Sequence, residues 1–281
     1  MKRFDWKTTR WIRSAGAQVV ACGKNTHFAV PQKFLTEELV RLLKNFDSVL
    51  AGGKILKDSP TTTAALAECG GQMLFLKRTN NKNWKFTLRY LFRSARPFRS
   101  ARAAEKFSQL GIPTPPVIAA GECRCGLILK CGYLITGTEP GICGMNQAIR
   151  EAADPVGEMS VFLKKAAVMM AALHRNRVIH GDLKLCNFYR GGNGEPGIWD
   201  LDSVRIYRSR VPLREVEKEL TRLIASCVEL LRRIPGVPEP EIDSMTSRFC
   251  REYCAYSPLV PSGTKVAGLV RALLERWRNK K

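Results

Sequence analysis

The stretch His180-Gly181-Asp182-Leu183-Lys184-Leu185-Cys186-Asn187, followed by Ile198-Trp199-Asp200-Leu201-Asp202, constrains this chain more than any other. It reads H-x-D-x-x-x-x-N with a further Asp on the next strand, the spacing of a phosphoryl-transfer site. Such chemistry needs one carboxylate to orient and deprotonate a hydroxyl. It also needs an amide oxygen and a second carboxylate to hold Mg²⁺ against phosphates. Phe188-Tyr189-Arg190 reads as a short strand, residues 191–197 as a Gly-rich turn, and Ile198-Trp199 as the returning strand. The hairpin therefore sets Asn187 and Asp200 at neighbouring strand ends. Gly191-Gly192-Asn193-Gly194 lacks the Lys-Ser/Thr of a P-loop and reads as a hairpin tip. Two Asp and an Asn near a turn also occur by coincidence, so the motif gains weight only if the rest of the chain supplies its partners.

Upstream, three strands are expected at 54–57, 62–69 and 73–78, joined by a turn at 58–61 and a hairpin turn at Gly70-Gly71. The third ends on Lys77 and Arg78. A Lys at a strand end is ordinarily a solvated terminus, but after two hairpin-linked strands it stands where a kinase holds the Lys that meets the α- and β-phosphates. From Lys77 to Lys106 there are ten Lys/Arg (77, 78, 82, 85, 89, 93, 96, 99, 102, 106) and one carboxylate, Glu105. Residues 101–110 read as a helix stopped by Gly111, with Pro113, Pro115 and Pro116 beyond. A lone Glu on that helix is the natural partner for Lys77, and such a pair fixes the Lys toward phosphates. Residues 117–120, 127–129 and 133–136 are strand-like and would complete a five-stranded antiparallel sheet. Thr138-Glu139-Pro140-Gly141 is turn-rich and marks a hinge, giving an N-lobe at 1–138 and a C-lobe at 139–281.

Residues 1–31 are basic and aromatic (Phe4, Trp6, Trp11) and read as short strands or an ordered arm. Within them 15–22 contains Gly16 and Gln18 and no clear cleavage site, so it reads as a strand, not a signal peptide. Pro31 opens a helical pattern through Phe34, Leu35, Leu39, Leu42, Leu43 and Phe46, ended by Asp47 and Gly52-Gly53. Residues 158–175 form a strong helix with Met159, Phe162, Leu163, Ala166, Ala167, Met170 and Leu173 on one face; its Met residues fill core and His174 reads as structural. Helices follow at 212–233, 239–253 and 265–279. The last could lie on an acidic membrane surface, though packing on the larger lobe is the simpler reading.

The 281 residues, 45% of them apolar, suit a globular chain, and no run of about 18 apolar residues marks a membrane span. The net charge of +21 suits an anionic partner (nucleic acid, acidic lipid or phosphorylated glycan) or a solvated basic surface. No nucleic-acid recognition motif accompanies it. The ten cysteines give no zinc signature: Cys123-x-Cys125 is too tight, and Cys250-x₃-Cys254 has no second pair nearby. With three histidines a Cys/His metal site is not expected, and unpaired cysteines fit a reducing cytoplasm.

The chain resembles the lipopolysaccharide kinases of Gram-negative bacteria, the Kdo/heptose kinase group of the protein-kinase-like superfamily. Carrying the resemblance are Phe75-Leu76-Lys77-Arg78, Gly111-Ile112-Pro113-Thr114-Pro115, the His180–Asn187 loop, and Asp200-Leu201-Asp202-Ser203-Val204-Arg205, over about residues 50–230. It implies an α+β, bilobal protein-kinase-like fold, with a small antiparallel-sheet N-lobe and a mostly helical C-lobe. It implies Asp182 as general base, Asn187 and Asp200 as Mg²⁺ ligands, Lys77 on the ATP phosphates and Glu105 orienting Lys77. Lys184 would neutralise the γ-phosphate in the transition state. Asp202 would be a further metal or structural ligand, and His180 would brace the loop.

Three departures from protein kinases bear on the substrate. Gly181 replaces the Arg that reads an activation-loop phosphate. Only nine residues separate Asp202 from Pro212, with no A-P-E, which leaves no peptide-binding segment. There is no G-x-G-x-x-G between the first two strands, so the turn at 58–61 must cover the phosphates. The implied activity is ATP-dependent phosphorylation of a sugar hydroxyl, heptose or Kdo, in the lipopolysaccharide inner core or another anionic glycolipid. The basic segment would engage the acidic acceptor, at the cytoplasmic face of the inner membrane and peripheral to it. A RIO-like or other atypical protein kinase, or a pseudokinase binding anionic glycolipid, are the competing readings.

Overall fold

The computed structural model describes residues 16–81, 90–91, 94–138 and 140–279. The aromatic residues Phe4, Trp6 and Trp11, the cations Lys82, Lys85, Arg89 and Arg93, and Glu139 of the expected hinge lie outside the described residues. The chain divides into two compact units, Met1–Glu105 with Pro115–Glu139 and Lys106–Thr114 with Pro140–Lys281.

The first unit holds β1 (Ala17–Ala21), β2 (Thr26–Pro31), a 3-10 turn (Gln32–Phe34), α1 (Glu37–Lys44), α2 (Phe46–Gly52), β3 (Lys54–Ser59), β4 (Thr62–Cys69) and β5 (Gln72–Asn80). The helix α3 (Arg96–Gln109), which belongs to this unit up to Glu105, and the strands β6 (Val117–Cys125) and β7 (Ile128–Gly137) follow. The strands form one seven-stranded antiparallel sheet in the order β1-β2-β6-β7-β5-β4-β3. Five strands were expected. The two additional ones come from the N-terminal segment, where β2 pairs with β6 from Thr26↔Cys123 to Ala29↔Ala120.

Gly70 and Gly71, at φ +58 and +74, form the β4–β5 turn; positive φ at both central residues matches the right-handed twist of a hairpin. The three short segments expected after residue 116 are two long strands instead. Their pattern is interrupted by Gly121 and Gly132, which packing demands. A Cβ at 121 would meet the Phe28 ring at 2.5 Å, and one at 132 would meet Pro97 Cδ at 2.9 Å. The polar residues Glu122 and Arg124 also belong to β6. They form a buried ion pair at 2.8 Å, and Arg124 adds a bond to the Leu127 carbonyl at 2.9 Å.

The helical pattern from Pro31 to Phe46 divides at Asn45 into α1 and α2. Thr36 caps α1 by accepting from the Leu39 N–H at 3.2 Å, and Leu39, Leu42 and Leu43 are buried. They join Phe46, Phe28 and Tyr133, whose ring centroids lie 4.8–5.8 Å apart, in the unit's main core.

The second unit contains β8 (Cys143–Gly144), α4 (Met145–Arg150), α5 (Pro155–Arg175), β9 (Val178–Ile179), β10 (Phe188–Arg190), β11 (Pro196–Ile198) and β12 (Arg205–Ile206). Helices α6 (Leu213–Leu231), α7 (Ile242–Tyr256) and α8 (Gly263–Arg278) complete it. Asp154 caps α5 by accepting from the Gly157 N–H at 2.9 Å, with Pro155 in the first turn. Every residue of the expected apolar face of α5 is buried. Helix α8 packs against α6 and α7, with Val266, Val270 and Leu274 buried. No described helix is long and apolar enough to cross a membrane.

Candidate active site

The motif loop leaves β9 at His180, turns through residues 181–184, forms a 3-10 turn over Leu185–Asn187 and enters β10. Leu183 and Leu185 are buried and anchor it from below. The β10–β11 hairpin pairs Phe188 with Ile198, and the Trp199 N–H donates to the Asn187 carbonyl at 3.1 Å. Asn187 and Asp200 therefore lie at the open end of one hairpin, as its length requires. The Asn187 Nδ2 donates to the Asp182 carbonyl at 2.7 Å, which directs Oδ1 away from that bond. Asp200 sits in the left-handed region, φ 55 and ψ 57. A non-glycine residue there costs on the order of 1–3 kcal/mol, a strain that clusters at functional positions.

Asp182 is half-buried, and each carboxylate oxygen has a cation. Lys184 Nζ lies 3.2 Å from Oδ2 and Arg222 Nη1 lies 3.2 Å from Oδ1. The structure thus gathers Asp182, Lys184 and Asn187 into one hydrogen-bonded loop and brings Asp200 to the adjoining strand end. Asp202 falls in the following 3-10 turn, Leu201–Ser203. Lys77 and Glu105 belong to the first unit. Lys77 occupies β5, opposite Ala64 of β4 and Leu134 of β7, and Glu105 occupies α3; both are half-buried.

Sequence patterning missed the residues that hold the loop, all on α6. Glu219, fully buried, accepts from the His180 N–H at 3.3 Å and the Gly181 N–H at 2.5 Å, with His174 Nε2 at 2.9 Å. Burial alone would push its carboxyl up. The hydrogen bond and charge of His174, the His180 charge and the Gly181 N–H outweigh it and hold the carboxyl below its ordinary range. Ser226 Oγ accepts from the Leu185 N–H at 2.8 Å, and Arg222 Nη1 donates to the Gly181 carbonyl at 2.7 Å. Positions 219, 222 and 226 share one helical stripe. The available signal was weak: three polar residues on one stripe of a helix that also carries Arg214, Glu215, Glu217, Lys218, Thr221 and Glu229.

Both histidines act as expected. The buried His180 places Nε2 3.1 Å from the Trp199 carbonyl oxygen and braces loop to hairpin. His174 joins Tyr253 and Glu219 at 2.9 Å each and is structural.

Gly181 has a backbone reason beyond the missing Arg. Its φ is +86, and a Cβ there would lie 2.6 Å from the Ser203 carbonyl oxygen. Replacing it with Ala should destabilise the protein by at least about 1–2 kcal/mol through the left-handed conformation alone. Denaturant unfolding would measure this, and an unchanged midpoint would refute it.

The model of the lipopolysaccharide kinase (Kdo/WaaP) family matches residues 57–247, more than half the chain. The chain belongs to that family. It is therefore a kinase, a phosphotransferase acting on lipopolysaccharide with the ATP use that kinase activity implies. Among solved structures, WaaP in complex with acyl carrier protein matches with a TM-score of 0.59 and 20% identity, over 88% of this chain and 97% of that one. At that identity the likeness concerns the fold, and it agrees with the α+β protein-kinase-like architecture expected of this lipopolysaccharide kinase. A comparison with curated proteins found no match.

Among the described residues no three His, Cys, Asp or Glu side chains form a metal cluster. Asn187 and Asp200 offer a hard oxygen pair. That pair suits Mg²⁺, which takes one or two protein oxygens together with substrate phosphates.

Proposed function

We propose that this lipopolysaccharide kinase transfers the γ-phosphate of ATP to a sugar hydroxyl, of heptose or Kdo, in the inner core. The observation that carries this reading is the side-chain set at the loop: Asp182 half-exposed between two cations, with Asn187 fixed to its carbonyl. Asp182 receives the acceptor hydroxyl and takes its proton as the phosphoryl group arrives. Lys184, two residues on, offsets charge on the transferring group. Lys77, oriented by Glu105, contacts the α- and β-phosphates. Asn187 Oδ1 and the Asp200 carboxylate would hold Mg²⁺, which would supply positive charge against the phosphates.

The short passage from Asp202 to α6 favours a glycan over a peptide. Its only strand, β12, pairs with β9 at Arg205↔Ile179 and Ile206↔Val178, leaving little chain to present a polypeptide. The charge of +21 favours work against an anionic surface, peripheral to the cytoplasmic face of the inner membrane.

The test is incubation with γ-labelled ATP, Mg²⁺ and lipopolysaccharide from cells lacking the protein, followed by mass spectrometry of the glycolipid. Gain of one phosphate's mass on the inner core is expected. Label entering protein substrates but no glycolipid would refute the reading.

A further inference from the structure

Asp182 has a cationic neighbour that the loop motif does not contain. Arg222 reaches it from α6 through Nη1, which serves both the Gly181 carbonyl at 2.7 Å and Asp182 Oδ1 at 3.2 Å. Lys184 already neutralises the carboxylate, so Arg222 leaves a surplus positive charge at the group that receives the acceptor. The side chains are open to solvent, at 38% for Asp182 and 41% for Arg222.

The carboxylates on α6 do not cancel that surplus. Glu215, on the same helix, is taken by Arg205 at 2.6 Å and Lys218 at 3.0 Å. Glu217 is taken by Lys265 at 2.7 Å, and Glu219 is turned to His174 and the loop N–H groups. The Nε and Nη2 donors of Arg222 meet no acceptor among the described residues. A planar guanidinium edge of this kind takes a carboxylate or phosphate through two parallel hydrogen bonds. The Gly181 bond fixes its direction in advance, which reduces the ordering cost of binding.

We propose that Arg222 is the acceptor-recognition residue of this kinase, its outer guanidinium edge binding an anionic group, carboxylate or phosphate ester, carried by the sugar acceptor. This role rests on the glycolipid transfer proposed above. The path from the accepting hydroxyl to the anion runs through three hydrogen bonds, to Asp182, on to Arg222 and out from its far edge, so the two lie within about 10 Å, on the same sugar or a neighbouring one.

The experiment is a cycle of steady-state kinetics. Wild type, Arg222→Gln and Arg222→Lys are each assayed on intact glycolipid, on glycolipid stripped of phosphate esters, and on glycolipid with carboxylates converted to amides. Arg222→Gln should raise the KM for intact acceptor by about 10- to 100-fold, the range of a charge-assisted hydrogen bond. Removing the recognised anion should cost wild type a similar factor and cost Arg222→Gln nothing further. Arg222→Lys, which keeps the charge without the fork, should fall between them on the anionic acceptor. The modification that closes the cycle identifies the anion as phosphate or carboxylate. Additive losses for both modifications, or an equal fall in kcat on all three acceptors with KM unmoved, would overturn the proposal. Absence of transfer to any glycolipid by wild type would overturn the proposed function and this role with it.

Discussion

Replacing Asp182 by Asn lowers kcat for transfer to glycolipid by about 10²- to 10⁴-fold, the usual contribution of a positioned general base. Asn has the size of Asp, and the contacts that shape the loop do not use the Asp182 carboxylate. Asn187 binds the Asp182 backbone carbonyl, Glu219 binds backbone N–H groups, and Ser226 binds the Leu185 N–H. The substitution does leave Lys184 and Arg222 without their carboxylate. Both cations are substantially exposed, where loss of an ion pair costs about 0–1 kcal/mol. Activity should therefore collapse while the thermal midpoint moves by only a few degrees. Turnover at the wild-type rate by the Asn variant would remove Asp182 from the chemistry. A collapse of folding together with activity would show that the carboxylate is a structural tie.

What could be read from the sequence was what local spacing encodes. Strand β4 occupies residues 62–69 as its small and β-branched residues predict, and the buried face of α5 follows its three-and-four periodicity. The hairpin joining Asn187 to Asp200 follows from turn chemistry alone. The failures are long-range. Residues 15–22 read as a strand, as β1 is, but no local signal shows that β1 and β2 extend the sheet through the pairing of β2 with β6. Glu219, Arg222 and Ser226 bond loop groups 38 to 41 residues away, so no local window joins them to the motif. Gly181 marks the boundary between the two cases. The sequence shows an absent Arg, whereas the reason for Gly is a backbone angle and the Ser203 carbonyl packed against it.

Glu219→Gln should be the most destabilising isosteric change in the second unit, at about 3–5 kcal/mol, the cost of removing one partner from a buried charge network. Glu219 has no solvent to fall back on, and every group facing it is a hydrogen-bond donor or His174. A Gln must present an NH₂ where an acceptor is required, leaving at least one loop N–H unpaired. Urea unfolding should show a lower midpoint with an unchanged slope. The pH dependence gives a second, independent readout. Because the folded-state carboxyl is held below its ordinary value, its stabilisation is complete above the unfolded pKa of about 4.3 and is lost as pH falls through the depressed folded value. Wild type should therefore lose stability on acidification below about pH 4, and Glu219→Gln should lack that part of the acid limb. At temperatures where the variant remains folded its kcat should fall as well, since His180 and Gly181, held by Glu219, lead the backbone directly into Asp182. Equal midpoints and superimposable acid limbs for the two proteins would show that the carboxylate charge on α6 does not hold the loop.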